Sequence, residues 1–356
     1  MEKTLKKVGK VVLIVVLVVA ILLAALLIFL TATEYNPQET EKLSVPQGTQ
    51  TAAVGDELSF LTFNTGYAGL DQDEDFFMDG GSGVNPKSRG QVESNLAGIA
   101  DTLKEYPADV YFLQETDVNS GRTFHIDEAA YYENALGLPG TFAYNYKCNF
   151  VPYPLPMIGQ VQSGLLTMSG LAARSAQRVS LPVPFDWPIR TCNLKRCLLV
   201  EHIPLEGTDA QLVLVNLHLE AYDDGEGKAA QTRVLADVLR SEYEKGNYVV
   251  AGGDFNQTFP GVREYPAVDE ENWKPGVIGE DVLPDGFRFA FDDSLPTCRL
   301  LCAPYTGSYE TSQMFVIDGF IVSPNIQVEE VQTIRTDFAY SDHQPVRMRL
   351  TLTPAV

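Results

Sequence analysis

Nine polar side chains in this 356-residue sequence are of the types that bind metal ions or move protons, and most of them lie at or near the end of a hydrophobic segment. They are Asn64, Glu115, Asn216, His218, Asp254, Asn256, Asp318, Asp342 and His343. Hard oxygen ligands without cysteine suit Mg²⁺, Mn²⁺ or Ca²⁺ rather than a soft metal. Imidazoles beside carboxylates suit proton transfer. The set therefore predicts metal-assisted hydrolysis of a phosphate ester.

Each of these residues taken alone also has an ordinary structural explanation. The Gly, Asp and Asn of VVAGGDFNQT, residues 249–258, are the residue types that turns use. His218 could be a hydrogen-bonded core histidine, and Glu115 a simple strand-end carboxylate. Asp318 lies inside an apolar segment, where an unpaired carboxylate is costly, so we expect it to have a partner. Only the whole set indicates a shared cleft.

The elements that would position these residues are strands interleaved with helices. Short segments rich in Val, Ile, Leu, Phe and Tyr, such as ELSFLTFN and QLVLVNLH, predict strands. Helical periodicity predicts helices over 88–106 and 227–245, with Ser88 as N-cap of the first and Gly246 as the stop of the second. The pattern indicates an α/β fold, and by itself does not exclude a doubly wound sheet.

Six short motifs resemble the endonuclease/exonuclease/phosphatase superfamily, and they occur in that superfamily's order. They are FNTG (63–66), FLQE (112–115), VNLHLE (215–220), GGDFN (252–256), VIDGFIV (316–322) and SDHQPV (341–346). Each motif is weak alone, but the ordered set is specific and covers residues 56–353. The resemblance implies a four-layer α/β sandwich, in which two mostly antiparallel sheets pack face to face with helices outside. It also implies a Mg²⁺-dependent phosphoesterase, with Mn²⁺ as an alternative ion.

The resemblance further implies a role for each matched residue. Glu115 would be the principal metal ligand, with Asn64 and Asp342 in or near the metal's shell. Asp254 would activate the attacking water.

The phosphate would be held by Asn256 and His218. His343 would act with Asp318, whose carboxylate would orient the imidazole, and Asn216 would be a neighbour that shapes the site. Between Thr141 and Ser169 the sequence has no acidic residue, so the upstream glutamate that pairs with the first histidine in deoxyribonuclease-type enzymes has no counterpart there.

The amino-terminal segment predicts a membrane anchor. Residues 1–10 carry four lysines, and residues 11–30 are apolar without a break, which is long enough to span a bilayer. A cleaved signal and a buried core helix are the alternatives. The lysines predict a cytoplasmic amino end. We expect a linker over 31–55 and an extracytoplasmic catalytic domain over 56–356.

The net charge and the cysteines limit which partners and which redox states the sequence allows. The chain carries a net charge of −21, and because its first ten residues hold four lysines and one glutamate, the rest carries −24. Such a surface disfavours non-specific binding to nucleic acid. The acidic segment 69–85 is expected to be a solvated loop. The five cysteines leave two alternatives open. Either Cys192 pairs with Cys197 and Cys298 with Cys302 in disulfides, or the cysteines are free buried thiols.

The sequence thus predicts an outward-facing, membrane-anchored phosphoesterase. A lipid head group or a small-molecule phosphodiester is the favoured substrate, because the anchor and the acidic domain fit it best. A surface nuclease is the first alternative, and a non-catalytic binding module on the same fold is the second. The predicted partners are the membrane and the phosphoester substrate, and no protein partner is inferable.

Overall fold

The computed structural model describes residues 2–45, 47–223, 225–268 and 271–354, so the predicted outer limits at Met1 and Val356 lie outside the described residues. The described helices are α1 (Glu2–Ala32), α2 (Arg89–Glu105), α3 (Glu128–Leu136) and α4 (Glu226–Glu244). The described strands are β1 (Thr40–Leu43), β2 (Ala52–Ala53), β3 (Glu57–Asn64), β4 (Val110–Asp117), β5 (Gly140–Val151), β6 (Gly159–Ser169), β7 (Ser175–Ser180), β8 (Cys197–Glu206), β9 (Gln211–His218), β10 (Tyr248–Asp254), β11 (Gln257–Thr258), β12 (Gly276–Val277), β13 (Arg288–Ala290), β14 (Cys298–Arg299), β15 (Met314–Phe315), β16 (Asp318–Val322), β17 (Ile326–Thr333) and β18 (Val346–Leu352).

Two mixed sheets form the body of the fold. One has the order β1-β7-β8-β9-β10-β16-β13, with β2 paired to β8, and the other has the order β17-β18-β3-β4-β6-β5. The pairs β9/β10, β3/β4 and β2/β8 are parallel, and the other pairs in these two sheets are antiparallel. The predicted α/β sandwich of two mostly antiparallel sheets flanked by helices is confirmed.

Three layers of buried side chains hold the sandwich together. Residues such as Phe60, Phe112, Leu214 and Phe320 pack between the two sheets. Leu235 and Leu239 of α4 pack on the outer face of the larger sheet, in a second cluster. Residues of α2 and α3 cover the smaller sheet in a third. Strands such as β10 are therefore buried on both faces, which explains their continuous apolar sequence.

The predicted helix ends agree closely with the structure. Ser88 caps α2, because its side chain accepts a hydrogen bond from the backbone N–H of Gln91 at 3.2 Å. α4 ends at Glu244, and Gly246 follows with a φ of 86°, where its N–H donates to the carbonyl of Tyr243. A left-handed glycine just beyond the last turn satisfies carbonyls that the helix itself leaves open.

Several described residues of the predicted linker, 31–55, contact the domain. Its residues 40–43 form β1, which pairs antiparallel with β7, and residues 52–53 form β2, which pairs with β8. The carboxylate of Glu34 is buried and lies 2.9 Å from Lys195 Nζ. Backbone pairing and an ion pair therefore hold these residues against the domain, while the linker's boundaries stay a prediction.

The apolar stretch over 11–30 is confirmed as part of one long helix. α1 is long and apolar enough to cross a membrane by length and composition, although a signal sequence at this end of a chain has the same properties. Most of its large apolar side chains are exposed to the surroundings, and Leu30 near its end is buried against the domain. A core helix is excluded, since such a helix would be buried along its length.

Two further expectations are settled by burial. Cys148, Cys192, Cys197 and Cys298 are buried free thiols, which is the second of the two alternatives that the sequence left open. The segment 69–85 is not simply a solvated loop, because Asp71, Glu74 and Asp79 are all buried. Buried polar partners compensate the loss of water around these carboxylates, as described below for Asp79.

The two glycines before Asp254 let neighbouring chain approach closely. Gly253 has a φ of 151°, and a Cβ there would lie 1.9 Å from the carbonyl oxygen of Leu217 in β9. A Cβ on Gly252 would lie 2.5 Å from the ring of Phe320. The GGD sequence thus sets the spacing between β10 and its two neighbours, which places the site residues at their ends.

We expect Gly253→Ala to destabilise the chain by about 3 kcal/mol, because it adds a backbone clash to backbone strain. Gly207→Ala is the matched control, since Gly207 also has a positive φ but no atom within 4 Å of its Cβ position. The control should cost only about 1 kcal/mol. Denaturant unfolding of the detergent-solubilised chain measures both, and equal costs would contradict this account of Gly253.

Candidate active site

Strand register in the larger sheet places three predicted residues side by side. In the parallel pair β9/β10, His218 lies opposite Asp254. In the antiparallel pair β10/β16, Asp254 lies opposite Asp318. Asp318 is the first residue of β16 rather than a mid-strand residue, so its carboxylate reaches the same end of the sheet. One row of backbone pairs therefore aligns an imidazole and two carboxylates.

The smaller sheet contributes Asn64 and Glu115 from the neighbouring ends of β3 and β4. These strands pair in parallel, and Asn64 lies opposite Gln114. Glu115 has a φ of 54° at an irregularity in the β4/β6 pairing. Asn256, just after β10, has a φ of 49°. Left-handed backbone at non-glycine residues is costly, and here it occurs at two residues of the predicted site.

The loop before β18 joins the two sheets at this end. Ser341 donates a hydrogen bond from Oγ to the carbonyl of Asn64 at 2.8 Å, and its Oγ accepts one from the N–H of His343 at 3.2 Å. His343 Nδ1 lies 2.9 Å from Asp318 Oδ2. The partner that Asp318 was expected to need is thus His343, which leaves Nε2 of the imidazole directed at the other site residues.

The carboxylate of Asp254 lies at the centre of the site, in contact with side chains from both sheets. Its Oδ2 accepts a hydrogen bond from Asn64 Nδ2 at 3.0 Å, and it lies 3.3 Å from His218 Nε2 and 3.7 Å from His343 Nε2. Its Oδ1 accepts from the backbone N–H of Asn256 at 2.8 Å. His218 therefore has Asp254 as its acidic neighbour, in place of the upstream glutamate that the sequence lacks.

Burial and charge move the pKa values of these groups apart. Burial raises the pKa of Asp254 to about 7, although the nearby His343 opposes the shift. Burial also lowers the pKa of His218 well below its usual value, and Arg196 and His343 add to this. Burial alone would lower the pKa of His343, but Asp318 and the other carboxylates outweigh it and raise that pKa well above its ordinary range.

These groups border a cavity of about 350 Å³ that is lined by both polar and apolar side chains. Six of the predicted residues line it: Glu115, His218, Asp254, Asn256, Asp342 and His343. Asn64 and Asp318 lie behind this surface and contact it through Asp254 and His343. Two predicted residues thus act on the site through other side chains.

Asn216 lies between the two sheets rather than at the cavity. Its Oδ1 accepts a hydrogen bond from Gln114 Nε2 at 2.8 Å, and its Nδ2 donates to the carbonyl of Leu166 at 3.1 Å. This buried amide links β9 to β4 and β6. Its effect on the site is to fix how the sheets face each other, which is a positioning role.

The cavity also contains residues that sequence reasoning missed. Asp79 accepts a hydrogen bond from Tyr222 Oη at 2.8 Å and one from the N–H of Leu301 at 3.2 Å, and burial raises its pKa. Arg122 lies 3.5 Å above the ring of Tyr67. These residues come from loops outside the six motifs. The acidic segment 69–85 was the one available signal, and it indicated Asp79 only as one of five acidic residues.

A divalent cation fits the carboxylates of this cavity. Burial, helped by the charges of Glu115 and Asp79 and opposed by His343 and Arg299, raises the pKa of Asp342 to about 6. An excess of buried carboxylates around one cavity is the donor set that Mg²⁺ or Mn²⁺ prefers. Asn64 turns its Oδ1 toward the N–H of Gly66 at 3.0 Å, so metal ligation by Asn64 stays a prediction.

A second group could also hold a cation by distance alone. Possible ligand atoms of Asp254, Asp318 and His343 lie within 4.8 Å of one another. However, His343 Nδ1 is already engaged by Asp318. The cation site at Glu115 and Asp342 stays a prediction, and this group is a second position where a cation fits by distance.

Comparison with known proteins identifies the family. The family model of the endonuclease/exonuclease/phosphatase family matches residues 61–343, which is most of the chain. The chain belongs to this family. Its members are generally hydrolytic phosphoesterases that use divalent metals, which agrees with the predicted class of enzyme. Among curated proteins, none matches the chain.

Solved structures of the endonuclease/exonuclease/phosphatase family share this fold. One from Beutenbergia cavernae has 19% identity and a TM-score of 0.59, covering 84% of this chain and 72% of its own. ANGEL2, a 2′,3′-cyclic phosphatase solved with adenosine-2′,3′-vanadate, has 13% identity and a TM-score of 0.54, covering 90% and 100%. One from Bacteroides vulgatus has 14% identity and a TM-score of 0.51, covering 83% and 99%. At these identities the likeness shows the fold alone.

We expect Mg²⁺ or Mn²⁺ to raise the thermal unfolding midpoint of the EDTA-treated chain. At about a hundredfold excess over Kd, binding to the folded state adds about 3 kcal/mol. Glu115→Gln and Asp342→Asn should each reduce this stabilisation, because each removes a negative charge from the cavity. Asp73→Asn, at an exposed carboxylate, is the control and should keep it. Equal stabilisation in all four proteins would place the cation elsewhere.

Proposed function

We propose that this protein is a divalent-metal-dependent phosphoesterase, anchored in a membrane, that hydrolyses phosphodiesters. One observation carries the proposal: Oδ2 of Asp254 lies 3.0–3.7 Å from the amide of Asn64 and from the Nε2 atoms of His218 and His343. A buried carboxylate between two imidazoles, in a cavity with further carboxylates, is arranged to activate water beside a phosphate.

Asp254 would accept the proton of the attacking water. Its raised pKa of about 7 makes it a stronger base than an ordinary carboxylate, while part of it stays ionised at neutral pH. The hydrogen bond from Asn64 and the backbone N–H of Asn256 fix the carboxylate in place. The base is therefore oriented before any substrate enters.

The imidazoles and Asn256 would bind the phosphate oxygens. His343 is held charged by Asp318, so its Nε2 can donate a charge-assisted hydrogen bond to a developing negative charge. His218 is neutral because its pKa is lowered, so it can bind but is a poor general acid. When bound at Glu115 and Asp342, a divalent cation would supply charge neutralisation for the phosphate and the leaving oxygen.

The charges around the cavity favour a small or lipid phosphoester over nucleic acid. Three arginines line it, and each is already held by the protein. Arg122 binds Asp117, Arg196 binds Glu220, and Arg299 donates to the carbonyls of Asp71 and Glu74. Nucleic-acid binding needs cations free to meet successive phosphates. None of these three is free to do so, and the domain is acidic.

We expect Asp254→Asn and His343→Ala each to lower kcat on a phosphodiester by about 10²-fold or more. Asp318→Asn should lower kcat less and leave KM nearly unchanged, because it acts only through the orientation and charge of His343. His125→Ala is the matched control at an exposed histidine and should have no effect. Near-normal rates in Asp254→Asn or His343→Ala, with circular dichroism unchanged, would refute these roles.

We further propose that α1 spans the membrane with its lysine-rich amino end in the cytoplasm. The support is the run of four lysines before the apolar span, since positive charge is retained on the cytoplasmic side. A protease added to intact cells should then remove the domain that follows α1. Full protection of the domain, with digestion only after lysis, would indicate the opposite orientation.

A further inference from the structure

The end of α1 packs against the same loops that border the catalytic cavity. Leu30 and Leu26 of α1 share a cluster with Cys148, Val151 and Cys192. Trp187 Nε1 donates a hydrogen bond to Thr31 Oγ1 at 3.0 Å. Glu34, just beyond the helix, lies 2.9 Å from Lys195 and 3.5 Å from Arg190. The domain is thus fixed to the end of its anchor by apolar, hydrogen-bonded and ionic contacts.

An exposed apolar surface surrounds this contact, and we name it the apolar rim: residues 151–158 (VPYPLPMI) and 183–189 (VPFDWPI). Eleven large hydrophobic side chains are exposed among the described residues outside α1, and six of them lie in the rim. They are Tyr153, Leu155, Met157, Val183, Trp187 and Ile189. Leu155 is 79% exposed. Asp186 is the one charged residue in the two loops. The rim is therefore an apolar surface whose six exposed side chains stay largely uncovered, although Trp187 also donates a hydrogen bond to Thr31.

The position of the rim along α1 matches the edge of a bilayer. If residues 11–30 cross the hydrocarbon core, then Leu30 lies at its boundary. Leu26 lies one turn deeper, about 6 Å along the helix axis. Because Leu26 also packs against the domain's cluster, part of the domain reaches the depth of the acyl boundary. Trp and Tyr side chains, which the rim carries at Trp187 and Tyr153, favour this depth.

The rim and the catalytic residues belong to one cavity. Tyr153, Ile158, Phe185 and Ile189 of the rim line the same cavity as Asp254 and the other catalytic side chains. A phosphoester that enters from the rim side would meet apolar side chains first and the carboxylates and imidazoles beyond them. That order matches a molecule with an apolar body and a phosphate head.

We propose that the apolar rim docks on the lipid bilayer that holds α1, and that the substrate is a lipid phosphodiester taken from that same bilayer. The proposal rests on the proposed function for its substrate. The rim positions the cavity mouth at the head groups, the apolar lining accepts the lipid's glycerol or acyl portion, and the inner polar groups act on the phosphate. Soluble phosphoesters and nucleic acid then lack the contacts that the rim supplies.

The test uses the full chain in vesicles of phosphatidylcholine, sphingomyelin and phosphatidylglycerol in equal parts, with Mg²⁺. The double variant Leu155→Asp/Met157→Asp places charges on the rim without changing a cavity-lining residue. We expect it to hydrolyse the vesicle lipids about tenfold more slowly, because membrane binding scales with buried apolar area. Its rate on bis(p-nitrophenyl) phosphate in solution should be unchanged, which also shows that it is folded. Val277→Asp, at an apolar side chain 70% exposed and outside the rim, is the control and should match wild type on both substrates.

Fluorescence locates the rim independently of activity. We expect brominated phosphatidylcholine to quench Trp187, measured as the difference between wild type and Trp187→Phe, and the rim double variant to reduce this quenching. Absence of quenching, or wild-type lipid hydrolysis by the double variant, would overturn the docking surface. Hydrolysis of the soluble diester without hydrolysis of any vesicle lipid would overturn the lipid substrate. If the wild type hydrolyses neither the vesicle lipids nor the soluble diester, the proposed function is overturned. The quenching measurement still decides the docking surface in that case.

Discussion

The buried carboxylate of Asp254 is the constraint on which the site depends. It is 1% exposed, and burial of a carboxylate is costly unless polar partners surround it. Those partners come from both halves of the sandwich: Asn64 from β3, His218 from β9, and His343 from the loop that connects the sheets. The site can therefore form only when the two sheets are correctly registered, and the sheets in turn are fixed at this end by the bonds that the site makes.

The polar contacts between the sheets extend this constraint into the core. Asn216 and Gln114 bridge β9 and β4 through a hydrogen bond of 2.8 Å, and both side chains are fully buried. A buried amide pair of this kind is stable only with its partner in place, so it favours one relative position of the sheets over sliding alternatives. Because the candidate catalytic residues lie at the strand ends just beyond it, a shift of one sheet would separate Asn64 from Asp254.

The amino-terminal helix and the candidate active-site cavity are parts of one arrangement rather than two separate modules. Pairing of β1 with β7 and the ion pair of Glu34 with Lys195 hold the chain that follows α1 against the domain. The end of α1 then contacts the loops at the cavity mouth. This geometry is the basis for the proposal that the enzyme acts on lipids of its own membrane, since a freely hanging domain would have no fixed orientation to the bilayer.

The sequence by itself determined the strand-ending polar residues, the ends of α2 and α4, the apolar span of α1 and the family, because these depend on short-range patterns: periodicity, caps, hydrophobic length and ordered motifs. Tertiary structure decided the rest. Asp79 lines the cavity although its loop was expected to be solvated, Asn216 lies between the sheets, and residues 40–43 form a strand. Each of these positions depends on which distant segment packs beside the residue. The pairing of His218 with Asp254 and of Asp318 with His343 was likewise decided by register, because a side chain's neighbours across a sheet are set by strand pairing and not by spacing along the chain.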